Sequence, residues 1–445
     1  EHAADAVEMI EVTYTELPAV TDSKKALEAE APRLHDEAPG NICFEWERGD
    51  NAAVDQAIEG ADKVIKLDLT NNRLVGAAIE TRGVVGSIDA MTDTIVLHST
   101  TQAPHHIRLC VARQLNVSEN DLRVISPDVG GGFGNKGKHY PEETIIAWAV
   151  RKLGQTVKWI GRRDESFISD TQGRDHQTHA ELAISSDGEF LGLRVQTIAN
   201  IGAYVSTFGA NIPSVIYTSL LAGVYKTPAI HVEVTGVFTN TVPTDAYRGA
   251  GRPEACYVLE RLADQAANET GLDRLDVRLR NMITEDQMPY TTAIGPTYDT
   301  GNFPALLRRV SKMARYGEFE LRRKATKKLG RLRGIGIASF VESSGVAPSR
   351  FAGAMGARVA TYEAAHIRVN EDGTVVAMLG THNHGQGHAT TFAQILSDRL
   401  GIDFSNIDIL EGDTAMVPRG TGTFGSRSIA VGGSALHIAA DKIID

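Results

Sequence analysis

Cysteine is scarce. Cys43, Cys110 and Cys256 are the only three in 445 residues, and no two stand close together. A disulfide framework is therefore excluded, a cytoplasmic setting is the default, and an iron-sulfur cluster would have to sit on another chain. No apolar run is long enough to span a bilayer, and no stretch of the sequence reads as a signal peptide. Positive charge is also short. The 45 Lys and Arg against 56 Asp and Glu leave a net charge of -11, which argues against nucleic acid or an anionic membrane as partner. A starting Met is missing too, and Glu1 to Asp5 read as the middle of a helix. The expectation is a chain whose true start lies elsewhere. What remains is ordinary for a globular protein of two or three domains, with 42% hydrophobic and 23% charged residues.

Taken in order, residues 1–22 read as a helix, Ala3 to Ile10, running into a strand, Glu11 to Leu17. Residues 23–51 read as a loose connecting arm with Pro32, Pro39 and Gly40. A first large domain, 52–330, carries period-two strands at Lys63 to Leu69, Gly83 to Asp89, Thr94 to His98, Leu122 to Ile125, Thr178 to Ser185 and Leu191 to Ala199. Helices fall at His106 to Leu115 and from Pro141 to Gly154. The basic segment Arg308 to Arg333 reads as a solvated surface helix that docks against a neighbour. A Gly-rich strand, Leu332 to Val341, opens a second domain, 331–445.

The second domain replays part of the first. Thr94 to His98, the Thr101-Gln102 loop, the helix to Leu115, Leu122 to Ile125, Asp128 and Phe133-Gly134 recur in order. Their counterparts are Thr374 to Leu379, the loop Thr381 to His388, the helix Thr390 to Leu400, Ile407 to Leu410, Asp413 and Phe424-Gly425. Two related halves with glycine-rich loops facing each other make a cleft for a ligand. The fold expected is α+β, two related α/β domains enclosing that cleft. The second copy stops soon after Phe424, so its later contribution is expected to lie outside this chain.

Three loops carry the chemistry. Gly130 to Gly134 offers bare backbone amides for an anion, without a Walker lysine or dinucleotide spacing. Thr381 to His388 holds three histidines, but no Cys or carboxylate joins them at zinc spacing, and Gly385 and Gly387 suit a backbone-cradled anion better. Asp245 to Glu254 places Arg248 and Arg252, two planar cationic forks, around Gly249 and Gly251, ahead of a helix begun by Pro253. Alone, such a loop is a capped surface turn; in this company it reads as the floor of an active site.

Together these stretches resemble the molybdenum-binding large subunit of the xanthine dehydrogenase, aldehyde oxidase and carbon monoxide dehydrogenase family, over the entire chain. The motifs are Thr101 to His105, Gly130 to Gly134 with Asn135-Lys136, Ala246 to Glu254, Gly385 to His388, and Gly422 to Ser428. The resemblance implies a molybdopterin cytosine dinucleotide carrying molybdenum, with residues 1–22 the tail of a hammerhead-like element. It implies that Gln102 bonds a ligand oxygen of the metal and that Gly131, Gly132, Phe133 and Gly134 flank it. Arg248 and Gly249 would stand beside the metal. Gly385, Gln386, Gly387 and His388, with Thr423, Phe424, Gly425, Ser426, Arg427 and Ser428, would hold the pyrophosphate and its cytidine end. No side chain of this chain would itself ligate a metal.

The activity implied is hydroxylation of an aldehyde or N-heterocycle with water as oxygen source, the redox chemistry belonging to the cofactor. Electrons would leave through a small [2Fe-2S] subunit and a medium FAD subunit, in a dimer of heterotrimers. The family's catalytic glutamate has no match here, which fits an incomplete or split subunit. Carbon monoxide dehydrogenases proper carry a copper-binding Cys after the loop arginine; here Gly249 follows Arg248, which resembles the second-form, carbon monoxide dehydrogenase-like group. With no side chain at Gly249, the loop is expected to leave room for an organic substrate. Cys256, on the following helix, reads as a packed small hydrophobe. Carbon monoxide oxidation and a non-catalytic nucleotide-binding scaffold are the alternatives.

Overall fold

The computed structural model describes residues 2–346, 349, 353 and 361–445. Its larger sheet has five strands in the order Ile42–Gly49, Ile230–Phe238, Phe190–Gly202, His176–Ile184, Lys63–Asn71. Alternation decides which face is buried. Leu182, Ile184, Leu193, Val195, Val232 and Val234 turn inward, while Gln196 and Glu233 stay exposed on the other side. The helix Arg252–Thr270 lies on the inner face, burying Val258, Leu259, Leu262, Ala263 and Ala266 in one core with those strand residues.

Two smaller sheets follow one plan. In the first half, Gly83–Ile88 pairs antiparallel with Ile95–Ser99, which pairs parallel with Leu122–Ile125. In the second, Ala365–Val369 pairs antiparallel with Val375–Leu379, which pairs parallel with Ile407–Leu410. The crossover helices are Pro104–Leu115 and His388–Leu400, each packed over its sheet by a separate apolar cluster. The internal repeat is therefore a repeat of topology, and it reaches one strand further back than the sequence comparison. The class is α+β.

The two copies are joined edge to edge. Ser126 donates its amide to Gly412 O at 2.8 Å, Thr414 donates to Val124 O at 3.0 Å, and Arg123 Nε donates to Asp413 Oδ1 at 3.0 Å. The glycine-rich loops consequently face one another across this seam.

Three expectations are corrected. Glu11 to Leu17 forms no strand; with no partner among the described residues, Val12, Tyr14 and Leu17 stay exposed. The arm is not loose throughout, because Ile42–Gly49 is an edge strand paired antiparallel with Ile230–Phe238. Leu332 to Val341 has no regular structure, since nothing among the described residues pairs with it. The basic segment forms two helices: Phe303–Met313, which buries Pro304 and Leu307 against the core, and the exposed Phe319–Lys328. Among the described residues, no helix is long and apolar enough to cross a membrane.

Candidate functional site

The first wall of the site is the loop after Ile125. Gly131 and Gly134 have φ of +95° and +96°, and a Cβ at Gly134 would lie 2.3 Å from Ala246 O. Only glycine permits that approach. Phe133, itself at φ 53°, accepts the Arg248 amide at 2.8 Å, so the two loops of the first half are fastened together. The Arg248 guanidinium lies 5.6 Å from the Phe133 ring centroid. It is exposed and makes no hydrogen bond or ion pair among the described residues. A free guanidinium at the rim is suited to an anion.

Gln102 occupies the centre. It is buried, and its Oε1 accepts from Gly134 N at 3.0 Å while its Nε2 donates to Thr423 O at 2.8 Å. A Cβ at Gly132 would meet Gln102 Oε1 at 2.4 Å, so this glycine makes room for the glutamine.

The second wall is built on the start of His388–Leu400. Gly387 is its N-cap at φ 79°, no side chain caps the helix, and a Cβ at Gly385 or Gly387 would meet nothing within 4 Å. Asn383 Oδ1 takes the amides of Gly385 and Gln386 at 3.3 and 3.0 Å. Among the described residues the first-turn amides from Gly387 onward have no partner, at the positive end of the helix dipole. His388 Nδ1 stands 3.1 Å from both carboxylate oxygens of Glu411. Burial pushes His384 down to about 4, so its ring is neutral at pH 7. Among the described residues no cluster of His, Cys, Asp or Glu could hold a metal ion.

Between the walls lies a cleft of about 1150 Å³. Gln102, Gly131, Phe133, Gly134, Arg248, Gly385, Gln386, His388, Thr423, Phe424, Gly425, Ser426 and Ser428 line it, together with Ile79, Val129, Gly130, Ser344, His384, Thr391, Phe392 and Ile429. No carboxylate is among them. Gly132, Gly249, Gly387 and Arg427 are sequence-predicted residues that do not line it.

Two of these differ from expectation in kind. Arg427 is fully buried, pairs with Glu363, and donates at 2.7 Å to Gly422 O and to Thr361 O, so it braces the loop from behind. Gly249 opens instead onto a separate cavity of about 500 Å³ shared with Cys256 and Phe340. It does not leave room: at φ +93° an added Cβ would lie 2.6 Å from Pro253 Cγ. Arg252 is likewise unavailable to a ligand, being bound to Ser343 O, Gly249 O and Glu342.

The supports of these loops are not evident from sequence alone. Lys136, buried under the glycine loop, pairs with Glu80 at 2.9 Å, and Glu80 Oε2 also accepts the Gly130 amide at 2.7 Å. Burial lowers the lysine's pKa. Lys138 is pushed down to about 8 by burial and stands 3.8 Å from Asp245, linking the same two loops. The adjacent Asn135-Lys136 pair was a visible signal for the lysine; nothing local marks Glu80.

The chain matches the family model described as molybdopterin cofactor-binding domain over residues 34–282, and a second model of that description over 309–445. It is 37% identical over 99% of its length to the carbon monoxide dehydrogenase large chain of Hydrogenophaga pseudoflava, covering 57% of that protein. To the nicotine 6-hydroxylase large subunit of Paenarthrobacter nicotinovorans it is 30% identical, over 99% of this chain and 54% of the relative. The crystal structure of quinoline 2-oxidoreductase from Pseudomonas putida 86 superposes with a TM-score of 0.92 at 32% identity, over 99% of this chain and 56% of the other. The chain thus spans little more than half the length of the relatives it matches.

Proposed function

This chain belongs to the molybdopterin cofactor-binding family, with the molybdenum-binding large subunits of the xanthine dehydrogenase and carbon monoxide dehydrogenase type, and we propose that its cleft holds molybdopterin cytosine dinucleotide in a molybdenum hydroxylase. The observation that carries this is the cleft's donor set: a free guanidinium, uncapped helix amides and no carboxylate, in a space large enough for a dinucleotide. Such a set fits a diphosphate and repels nothing in it.

In this reading the start of His388–Leu400 takes the pyrophosphate, and Thr423 to Ser428 shape the cytidine end. Arg427 acts from behind, holding the Gly422 carbonyl. Gln102 and the Gly131 to Gly134 loop face the reacting end; Gln102 keeps one amide hydrogen for a ligand oxygen after binding Thr423 O. Arg248 orients anionic groups at the rim. When bound, the cofactor supplies hydroxylation with water as oxygen source and accepts the electrons. The division near residue 330 into two cofactor-binding domains belongs to the same proposal.

The substrate class proposed is an aldehyde or N-heterocycle, in line with the heterocycle-oxidising relatives. Carbon monoxide oxidation is the second reading, favoured by the carbon monoxide dehydrogenase relative. Against it stands Gly249, which offers copper no thiolate and whose backbone excludes a side chain. Electrons are proposed to pass to [2Fe-2S] and FAD partner subunits in a cytoplasmic dimer of heterotrimers, supported by three cysteines that form no cluster. Metal and nucleotide analysis of the purified complex, with a screen of aldehydes, N-heterocycles and carbon monoxide, tests the proposal. Absence of molybdenum would overturn it.

A further inference from the structure

The two copies of the repeat differ at the buried position that follows the parallel strand. After Leu122–Ile125 stands Ser126, whose Oγ donates to Thr101 O at 2.8 Å and accepts the Thr101 amide at 3.3 Å. After Ile407–Leu410 the same position is Glu411, which accepts from Thr381 Oγ1, the counterpart of Thr101. Glu411 reaches further than Ser126 does, with both carboxylate oxygens 3.1 Å from His388 Nδ1. The two side chains are 7% and 5% exposed. A serine completes the fold in the first copy, so the topology does not require a carboxylate in the second. A buried carboxylate is costly to desolvate and persists here beside one cationisable ring.

The consequence falls on the other ring nitrogen. With Nδ1–H held by Glu411, the orientation of His388 is fixed, and Nε2 has no partner among the described residues in a ring that lines the cleft. We propose that Glu411 is a positioning residue that acts through His388: in the imidazolium form its carboxylate takes Nδ1–H and so aims Nε2–H at a phosphate oxygen at the uncapped start of His388–Leu400. This rests on the cleft taking a molybdopterin dinucleotide.

The test uses the intact complex with E411S, which copies Ser126, E411Q, H388A and the H388A/E411S double variant. Cofactor content per large subunit and the half-time of its release at stepped ionic strength are measured, with thermal unfolding as control. E411S and E411Q are expected to fold and to release the dinucleotide roughly tenfold faster than wild type, the scale of lost carboxylate support to a liganding histidine. E411S should add nothing in the H388A background. Release at the wild-type rate, or equal acceleration with and without His388, would overturn the inference. So would collapse of both Glu411 variants, which would make the carboxylate a demand of the fold. A wild-type complex that is empty of dinucleotide overturns the underlying reading and this one together; a loaded wild type with an uncoupled Glu411 overturns this one alone.

Discussion

Gln102 donates its side-chain N–H to the carbonyl of Thr423 at 2.8 Å, across 321 residues of chain. Because its Oε1 also accepts from Gly134, one buried side chain ties the glycine loop of the first copy to the corresponding loop of the second. Removing it leaves a half-buried amide and a buried carbonyl unpaired. Gln102→Ala is therefore expected to destabilise the protein by about 2–4 kcal/mol and to loosen the cleft. Gln102→Glu should do similar damage, since a carboxylate cannot donate to Thr423. Thermal unfolding of both variants checks this, and wild-type stability in either would contradict it.

Arg427 and Glu363 form a fully buried ion pair behind the cleft wall. Arg427→Ala is expected to cost about 3–5 kcal/mol, because Glu363 is left without its cation. Arg248→Ala should be near neutral for stability, within about 0.5 kcal/mol, yet should weaken cofactor retention. Urea unfolding alongside molybdopterin content separates bracing from binding. Equal stability losses in the two variants would sink that distinction.

Much of this arrangement is legible in the sequence, and the reason is local. Strand, glycine turn and helix leave their own periodicities, so both copies of the repeat can be aligned without the fold. Ile42–Gly49 escapes although Phe44 and Trp46 alternate with Glu45 and Glu47, because the alternation is short, follows a polar stretch broken by Pro32, Pro39 and Gly40, and has its partner far along the chain. Glu80 escapes because its tie to Lys136 spans 56 residues. The role of Arg427 is misread for a related reason: only the fold places Glu363 against it.

Glu143, buried at the start of Pro141–Leu153, is pushed up to about 7 from 4.5 by desolvation. The folded pKa lies above the unfolded one, so the stability this group contributes is complete below about pH 4.5 and is lost as pH rises through about 7. Glu143→Gln keeps an acceptor for the Tyr140 amide and abolishes the titration. Relative to wild type, it should gain about 1–3 kcal/mol between acid and alkaline conditions. Urea unfolding at pH near 5 and near 8 checks this; a pH-independent difference would contradict it.

Gly249 at φ +93° meets Pro253 if given a Cβ. Gly249→Cys is expected to destabilise by about 1–3 kcal/mol and to recruit no copper, because the thiol would point toward Pro253, away from the cleft. Copper content after reconstitution, read beside the melting temperature, decides. A stable variant that takes up stoichiometric copper would show that the loop rearranges freely.

The cleft between the two copies is proposed to hold a molybdenum-bearing pterin dinucleotide and no copper. Elemental analysis of the intact complex, with identification of the nucleotide released on denaturation, tests it most directly. The expected result is about one molybdenum per large subunit, a cytidine nucleotide in equal amount, and copper at background. Stoichiometric copper with robust carbon monoxide turnover, or a complex containing neither molybdenum nor nucleotide, would contradict it.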